Sequence, residues 1–168
     1  MADLSNLNAL PAADFVSLLG GVYEHSPWVA EAVAALRPFS DRADLIAAMR
    51  SAVEAASEEQ KLALIRAHPD LAGKLARAGG LTDESKREQA GLGLDRLSDS
   101  EFEAFTDFNE RYRERFGFPF IICARLTTKQ GVLQAFAKRI EQTSEEEMRT
   151  ALQEIHHIAR LRMMDLVE

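Results

Sequence analysis

The residue best suited to proton chemistry is His68, because histidine alone has an unperturbed pKa close to neutral pH. Residues 68–73 read His-Pro-Asp-Leu-Ala-Gly. Proline disfavours the α conformation in the residue before it, so His68 is expected to leave the preceding helix. Pro69 is expected in the first turn of the next helix, where its missing N–H costs nothing. A histidine at such a junction either points into a cleft and transfers protons, or simply ends a helix.

Arg162 is a charged residue within an apolar stripe of the last predicted helix. At about 100° per residue, it falls on the same side as Ile155, Ala159 and Leu166. A buried guanidinium is costly unless an anionic group meets it. Arg162 therefore either forms an internal ion pair, extends its charged end to water, or binds the carboxylate or carbonyl of a ligand.

The helix predicted at 82–90 has one face that is polar in the middle and apolar at its ends. Ser85, Glu88 and Gln89 lie between Leu81 and Leu92 on this face. A carboxylate beside an imidazole raises the pKa of the histidine and orients its ring. The face therefore either lines a pocket, with Glu88 near a histidine, or belongs to a helix exposed to solvent.

Residues 118–123 form a short apolar run, Phe-Pro-Phe-Ile-Ile-Cys. Its proline and its isolation predict an extended connector and not a sheet strand. The backbone groups of such a segment have no helical partners, so they need other partners if the segment is buried. A polar heterocycle with urea-like amides could supply them. Alternatively, the segment is a core loop satisfied by other backbone groups or by water.

Composition narrows the class of protein and its partners. The chain has 168 residues, of which 46% are hydrophobic, and this predicts a single domain over residues 1–168. The formal net charge of −7 argues against nucleic acid as a partner. One cysteine excludes an intrachain disulfide, and no His/Cys cluster has zinc spacing, so no metal site is predicted. The sequence has neither a signal-peptide pattern nor an apolar run that could span a bilayer. We therefore expect a cytoplasmic protein that does not associate with a membrane.

Helical periodicity runs through almost the whole chain. Capping boxes are predicted for Ser57 with Gln60, Ser98 with Glu101, and Ser144 with Glu147. The expected fold class is all-α, a compact single-domain bundle of about eight to ten helices, several of them short. The predicted helices cover residues 11–20, 27–37, 41–56, 58–67, 70–78, 82–90, 98–116, 128–142 and 144–167.

Four short motifs, in this order, resemble the OHCU decarboxylases, where OHCU is 2-oxo-4-hydroxy-4-carboxy-5-ureidoimidazoline. They are His-Pro-Asp-Leu-Ala-Gly at 68–73, Ser-x-x-Glu-Gln-x-Gly-Leu at 85–92, Phe-Gly-Phe-Pro-Phe-Ile at 116–121 and Ile-Ala-x-Leu-Arg at 158–162. The resemblance extends over about residues 11–167. It implies an all-helical enzyme without a cofactor that completes the conversion of urate to (S)-allantoin. Eukaryotic members often carry a peroxisomal signal, and its absence here implies a cytoplasmic enzyme of bacterial type.

The resemblance also implies roles for individual residues. His68 would be the catalytic histidine, and Glu88 its essential acidic partner. The residues implied to bind substrate are Pro69, Ser85, Gln89, Phe118, Phe120, Ile121 and Arg162. Arg125, just beyond the third motif, receives no role.

A mechanism can be expected from this substrate. Loss of CO2 leaves an electron pair that the adjacent C=N of the ring accepts, so no pyridoxal or thiamine is needed. The protein must hold the heterocycle, polarise it, and return a proton to one face. His68 is suited to the proton transfer and Glu88 to orienting it, whereas Arg162 and Gln89 would anchor oxygen atoms of the substrate. The apolar wall of residues 118–121 would favour loss of the carboxylate charge.

Other functions stay open on the sequence alone. A non-catalytic helical interaction module would expose Ser85, Glu88 and Gln89 and use Arg162 in an internal ion pair. A lyase acting on a related ureido acid would keep the site and change the substrate. A helix-turn-helix DNA-binding protein conflicts with the net charge. The resemblance and the apolar helix surfaces allow a homodimer, but the sequence leaves the oligomeric state open.

Overall fold

The computed structural model describes residues 1–73 and 78–168. Within these ranges regular secondary structure is helical, apart from an isolated β-bridge between Ala2 and Val167, so the expected all-α fold class is confirmed. The described helices are α1 (Leu4–Ala9), α2 (Ala12–Leu19), α3 (Trp28–Ala34), α4 (Arg42–Glu54), α5 (Glu58–Arg66), α6 (Asp83–Gly91), α7 (Asp99–Phe116), α8 (Lys129–Arg139) and α9 (Ser144–Leu166), with a 3-10 turn at Ala124–Leu126.

The described residues group into two compact units. The first unit holds residues 1–67 and 156–168, and the second holds residues 68–155. Helix α9 contributes residues to both units. The expected single domain over residues 1–168 stays a prediction. None of the helices described is long and apolar enough to cross a membrane.

The first unit is built on amphipathic helices, with α3 packed against both α2 and α4. Helix α2 buries Phe15 and Leu19, and α4 buries Leu45, Met49 and Val53. These residues recur every four positions, which places them on one side of each helix. Because they are almost fully buried, their removal from water supplies much of the free energy that stabilises this unit.

The second unit has an aromatic core between α7, α8 and the extended segment of residues 118–123. Gly117 ends α7 with a φ of 77°, a left-handed conformation that glycine adopts without a steric cost. The chain then continues without regular structure through residues 118–123, as predicted. The ring of Tyr112 packs against four other aromatic rings, those of Phe116, Phe118, Phe120 and Phe136.

Two of the three predicted capping boxes are confirmed, and the third is displaced by one residue. Ser57 and Ser98 cap α5 and α7 as expected. The third box uses Thr143 and Glu146, whose side chains bond each other's backbone N–H groups at 3.2 and 2.9 Å. The prediction of Ser144 with Glu147 was wrong, because the preceding pair has the same spacing and leaves Glu147 to point into the core.

Other helix predictions were wrong at the ends of elements. Helix α1 was not predicted, although Asp3 caps it by accepting from the N–H of Ser5 at 2.8 Å. The predicted helix at 70–78 is absent from residues 70–73, which form a turn. Its residues 74–77 lie outside the described residues. Ala72 has a φ of 52°, a left-handed conformation that α-helices of L-residues do not contain.

Candidate functional site

His68 lies where the sequence placed it, just beyond the end of α5. Ala67 is the C-cap of that helix, and His68 follows it with only 6% of its surface exposed. The proline after it explains why the helix does not continue. Pro69 itself lies outside any described helix, so the expectation that it starts one was wrong. Residues 68–73 therefore form a turn, called the histidine loop below.

Gln89 on α6 bonds the backbone of the histidine loop with both ends of its amide. The side-chain oxygen of Gln89 accepts from the N–H of Ala72 at 2.9 Å. Its side-chain nitrogen donates to the carbonyl of Asp70 at 3.3 Å. These bonds offset part of the cost of the left-handed conformation of Ala72, because they satisfy a buried backbone donor. They also join the first two sequence motifs in space.

Helix α7 holds the same loop from another side. Asn109 donates from its side-chain nitrogen to the carbonyl of Leu71 at 2.8 Å, and Arg113 donates to the carboxylate of Asp70, also at 2.8 Å. Asn109 is 7% exposed. We did not single out either residue from the sequence. The signal was available, because Asn109 lies four residues after Phe105 on the apolar side of α7, where an amide needs a partner.

The polar face predicted on α6 is buried at two of its three polar positions. Ser85 and Gln89 are 5% and 6% exposed, and Glu88 is half-buried. Thr82 is the N-cap of this helix, and its hydroxyl accepts from the N–H of Ser85 at 3.2 Å. A helix with this face in solvent is therefore excluded. The interaction module required that exposure, so this observation counts against it.

The extended segment of residues 118–123 is buried and lies close to α6. Phe118, Phe120 and Ile121 are at most 3% exposed, and the 3-10 turn that follows the segment packs against α6. Burial raises the pKa of the Cys123 thiol, and the negative carboxylates of Glu154 and Glu88 raise it further. Cys123 is a buried small hydrophobe, as predicted. The packing of the 3-10 turn against α6 places the end of this segment next to the helix that carries the second motif.

Protein groups satisfy some of the backbone of this segment. The carbonyl of Ile121 accepts from the guanidinium of Arg139 at 2.6 Å, and the N–H of Cys123 donates to the carboxylate of Glu154 at 3.4 Å. The core-loop alternative expected other backbone groups or water as partners, whereas these two partners are side chains. Arg139 was not among the candidates from the sequence, although it shares the apolar side of α8 with Val132 and Phe136.

Arg162 belongs to the first unit, where it forms a buried ion pair. Its Nη1 lies 2.6 Å from a carboxylate oxygen of Glu24, and the two side chains are 4% and 1% exposed. The same nitrogen approaches the carbonyl of Gly21 at 3.4 Å. This arrangement is the internal ion pair that the sequence left open. A guanidinium has five N–H donors, so an ion pair does not by itself preclude a ligand contact.

A cavity of about 280 Å³ opens beside the histidine loop within the second unit. Its apolar lining comes from Ala72 and from leucines, and its polar lining comes from Gln89, Lys86 and Asp95. Gln89 is the one predicted site residue in this lining as the structure describes it, so the cavity adjoins the candidate site but does not by itself define it. The described residues contain no group of three His, Cys, Asp or Glu side chains that could hold a metal ion.

Comparisons with known proteins agree with the motifs. The model of the OHCU decarboxylase family matches residues 8–164. The chain is 45% identical over 162 residues to the 2-oxo-4-hydroxy-4-carboxy-5-ureidoimidazoline decarboxylase of Haloferax volcanii, covering 96% of this chain and 94% of that protein. It is 42% identical over 167 residues to the uric acid degradation bifunctional protein PucL of Bacillus subtilis, covering 99% of this chain and 33% of PucL.

A solved structure shares the fold. The crystal structure of an (S)-allantoin synthase matches with a TM-score of 0.79 and 35% sequence identity, covering 100% of this chain and 54% of that one. This chain therefore spans only part of PucL and of the synthase, whereas it spans nearly all of the Haloferax relative. Because the family model and this full-length match cover almost every residue described above, the chain belongs to the OHCU decarboxylase family.

Proposed function

We propose that this chain decarboxylates 2-oxo-4-hydroxy-4-carboxy-5-ureidoimidazoline to (S)-allantoin as a carbon–carbon lyase that uses no cofactor, the last step in converting urate to allantoin. The observation that carries the proposal is the pair of hydrogen bonds from Gln89 to the histidine loop. These bonds join the loop that carries His68 to the helix that carries Ser85 and Glu88, and this proximity of two separate motifs supports one shared site. The names of the Haloferax relative and of the allantoin synthase support this substrate and this product.

The reaction needs few parts from the protein. The bond between the ring carbon and its carboxylate breaks, and CO2 leaves. The electron pair moves into the adjacent C=N bond, whose nitrogen takes up charge. The ring hydroxyl gives its proton to that nitrogen and becomes a carbonyl, while one proton from solvent adds to the carbon of the former C=N bond, on a single face, and gives one enantiomer of allantoin. The protein therefore has to bind the heterocycle in one orientation, stabilise the charge on the ring, and direct the proton.

The described residues offer groups for each of these tasks. His68 transfers the proton, because its imidazole can both accept and donate near neutral pH. Glu88 orients His68 or the substrate hydroxyl. Ser85 and Gln89 hydrogen-bond the polar edge of the heterocycle, and Pro69 borders it. The buried side chains of Phe118, Phe120 and Ile121 form an apolar wall, which favours loss of the carboxylate charge.

Arg162 is the residue for which two roles must be weighed. Its guanidinium could hold the carboxylate or a urea oxygen of the substrate while it keeps Glu24 as its partner. Alternatively, its whole role is the ion pair. We include it in the proposed site because it lies in the fourth motif, and the variants described in the Discussion separate the two roles.

Replacing His68 with Asn tests the proposed catalytic residue. Asn has similar size and can hydrogen-bond, but it does not titrate, so we expect turnover to fall at least about a hundredfold. The matched control is His25→Asn, because His25 is largely exposed, at 64%, and has no proposed role. Turnover is followed by circular dichroism, since spontaneous decay of the substrate gives allantoin without optical activity. A folded His68→Asn variant that makes optically active allantoin at the wild-type rate would refute the assignment.

Replacing Glu88 with Ala tests the acidic partner. We expect a loss similar to that of His68→Asn, because a carboxylate that orients a proton donor acts in the same step. Glu84→Ala is the matched control on the same helix, since Glu84 has no proposed role and forms a surface ion pair with Arg87. Equal rates for the two variants would leave Glu88 without a catalytic role.

The remaining expectations are proposals with simple tests. Activity should survive dialysis against a chelator, because no step uses a metal. The cytoplasmic location can be tested by fractionating the source cells. The homodimer can be tested by sedimentation at several protein concentrations.

A further inference from the structure

The second unit contains a buried ion pair that the proposed reaction does not use directly. Arg139 and Glu147 are 5% and 0% exposed. Nε and Nη2 of Arg139 lie 2.6 and 2.5 Å from one carboxylate oxygen of Glu147, and the Tyr112 hydroxyl donates to that oxygen at 2.6 Å. Desolvating two charges costs several kcal/mol per ion, and apolar side chains of similar size often stabilise a protein equally well. Stability alone therefore gives little reason for this pair.

The third nitrogen of the Arg139 guanidinium connects the ion pair to the extended segment. Nη1 donates to the carbonyl of Ile121 at 2.6 Å. The guanidinium carbon also lies 4.2 Å from the centre of the Phe120 ring, a cation–π contact. Arg139 thus contacts two consecutive residues of the proposed substrate wall. Glu147 holds the guanidinium through a hydrogen bond from Nε and an ion-pair contact of Nη2 with the same carboxylate oxygen.

This contact determines the direction of a peptide group. The peptide bond is planar and trans, so the N–H of Ile122 points opposite to the carbonyl of Ile121. A hydrogen bond from Arg139 to that carbonyl therefore also orients this N–H. The next N–H along the chain, that of Cys123, donates to the carboxylate of Glu154 at 3.4 Å. Since residues 118–123 lie outside helices and sheets, side chains supply the order that a regular element would otherwise give.

We propose that Arg139, held by Glu147, is a positioning residue that sets the Phe120 ring and the Ile121 peptide for substrate binding. The proposal rests on the proposed function, in which these two residues line the substrate. It assigns a role to a charge pair outside the four motifs. The alternative is that the pair only links α8 and α9 to α7 through Tyr112.

The test is a variant that removes all charge from the cluster and keeps its volume, Arg139→Met with Glu147→Leu and Tyr112→Phe. Apolar replacement of a complete buried network is often neutral for stability, so we expect a melting temperature within about 5 °C of wild type. We also expect KM for the OHCU substrate to rise roughly ten- to a hundredfold, because the wall is no longer held in one geometry. A smaller fraction of the allantoin should be optically active.

Tyr112→Phe alone is the matched control. It removes one hydrogen bond to Glu147 but leaves the contacts of Arg139 with Ile121 and Phe120, so KM should stay within twofold of wild type. Arg139→Lys is the second variant, in case the triple variant does not fold. Lysine keeps a positive charge for Glu147 but lacks the planar fork that reaches Ile121 at the same time, so KM should rise again.

The outcomes separate the two proposals. Wild-type protein that does not accelerate turnover of OHCU refutes the proposed function. An active wild type together with a folded triple variant, or a folded Arg139→Lys variant, whose KM and optical yield equal those of wild type refutes the positioning role alone. An increase in KM in those variants, with none in Tyr112→Phe, supports the positioning role.

Discussion

Acidification should destabilise the first unit through His156, a buried histidine on α9. His156 is 7% exposed, its Nδ1 lies 2.9 Å from the Tyr23 hydroxyl, and its Nε2 lies 3.9 Å from the Glu54 carboxylate. The pKa of His156 is lowered from 6.5 to about 4, chiefly by burial and also by the positive charges of Arg50 and His157, whereas Glu54 opposes the shift. The folded protein therefore holds His156 neutral, with Nδ1 able to accept from Tyr23.

The size and sign of the effect follow from the two pKa values. The unfolded chain binds a proton on His156 near pH 6.5, whereas the folded chain binds it only near pH 4. The stabilisation is therefore fully present above pH 6.5, is lost progressively as the pH falls to about 4, and changes little below that. A difference of this size corresponds to about 3 kcal/mol of unfolding free energy, a substantial part of the stability of a typical domain.

The assay is urea unfolding of the wild type and of His156→Gln, followed by far-ultraviolet circular dichroism at about pH 7.5 and about pH 4. The glutamine oxygen can accept from Tyr23 but does not titrate. All other ionisable groups are common to both proteins, so the difference between their pH dependences isolates His156. We expect the wild type to lose about 3 kcal/mol more than the variant on acidification. Equal losses would show that His156 is not held neutral by its surroundings.

Three further predictions concern other buried or capping groups. Arg162→Met should lower the free energy of unfolding in urea by about 3–5 kcal/mol, and adding Glu24→Leu should restore most of that loss. Activity that stays low in the double variant would identify Arg162 as a substrate ligand. Full activity in the double variant would exclude that role. Thr143→Ala should cost about 1 kcal/mol, whereas Ser144→Ala should cost less than about half as much, and the reverse order would contradict the cap at 143. Asn109→Ala removes the hydrogen bond to the Leu71 carbonyl of the histidine loop, so we expect kcat to fall in a variant that still melts cooperatively. An unchanged kcat would show that the loop does not need this hydrogen bond.

Much of the fold could be predicted because its helices follow local rules. Ser57 and Ser98 start their helices as the capping boxes indicated. The third box was placed one residue late, since Thr143 and Ser144 each have an acidic residue three positions later. Only tertiary packing distinguishes them, because Glu147 is the partner of Arg139 inside the second unit.

The shape of the histidine loop could not be predicted from local rules. Ala72 adopts a left-handed conformation that alanine rarely occupies, and bonds from Gln89 and Asn109 to the loop hold the chain in this turn. Those bonds join residues far apart in sequence. A helix beginning at Pro69 was therefore the natural prediction from composition, and it was wrong for residues 70–73.

A charged residue on the apolar face of a helix indicates a buried ionic contact. The spacing singled out Arg162, which the structure shows paired with Glu24. The same spacing applies to Arg139, which follows Phe136 by three residues on the buried side of α8. A basic residue at the end of a helix is also favoured by the helix dipole, and that ordinary explanation hides its buried contacts.

The proposed function requires that the purified chain decarboxylate OHCU with control of stereochemistry. The most direct measurement adds freshly generated OHCU to the protein and follows circular dichroism together with CO2 release. We expect both signals to appear faster than in buffer, the product to be optically active, and His68→Asn to abolish the difference. Release of CO2 at the buffer rate, or formation of allantoin without optical activity, would contradict it.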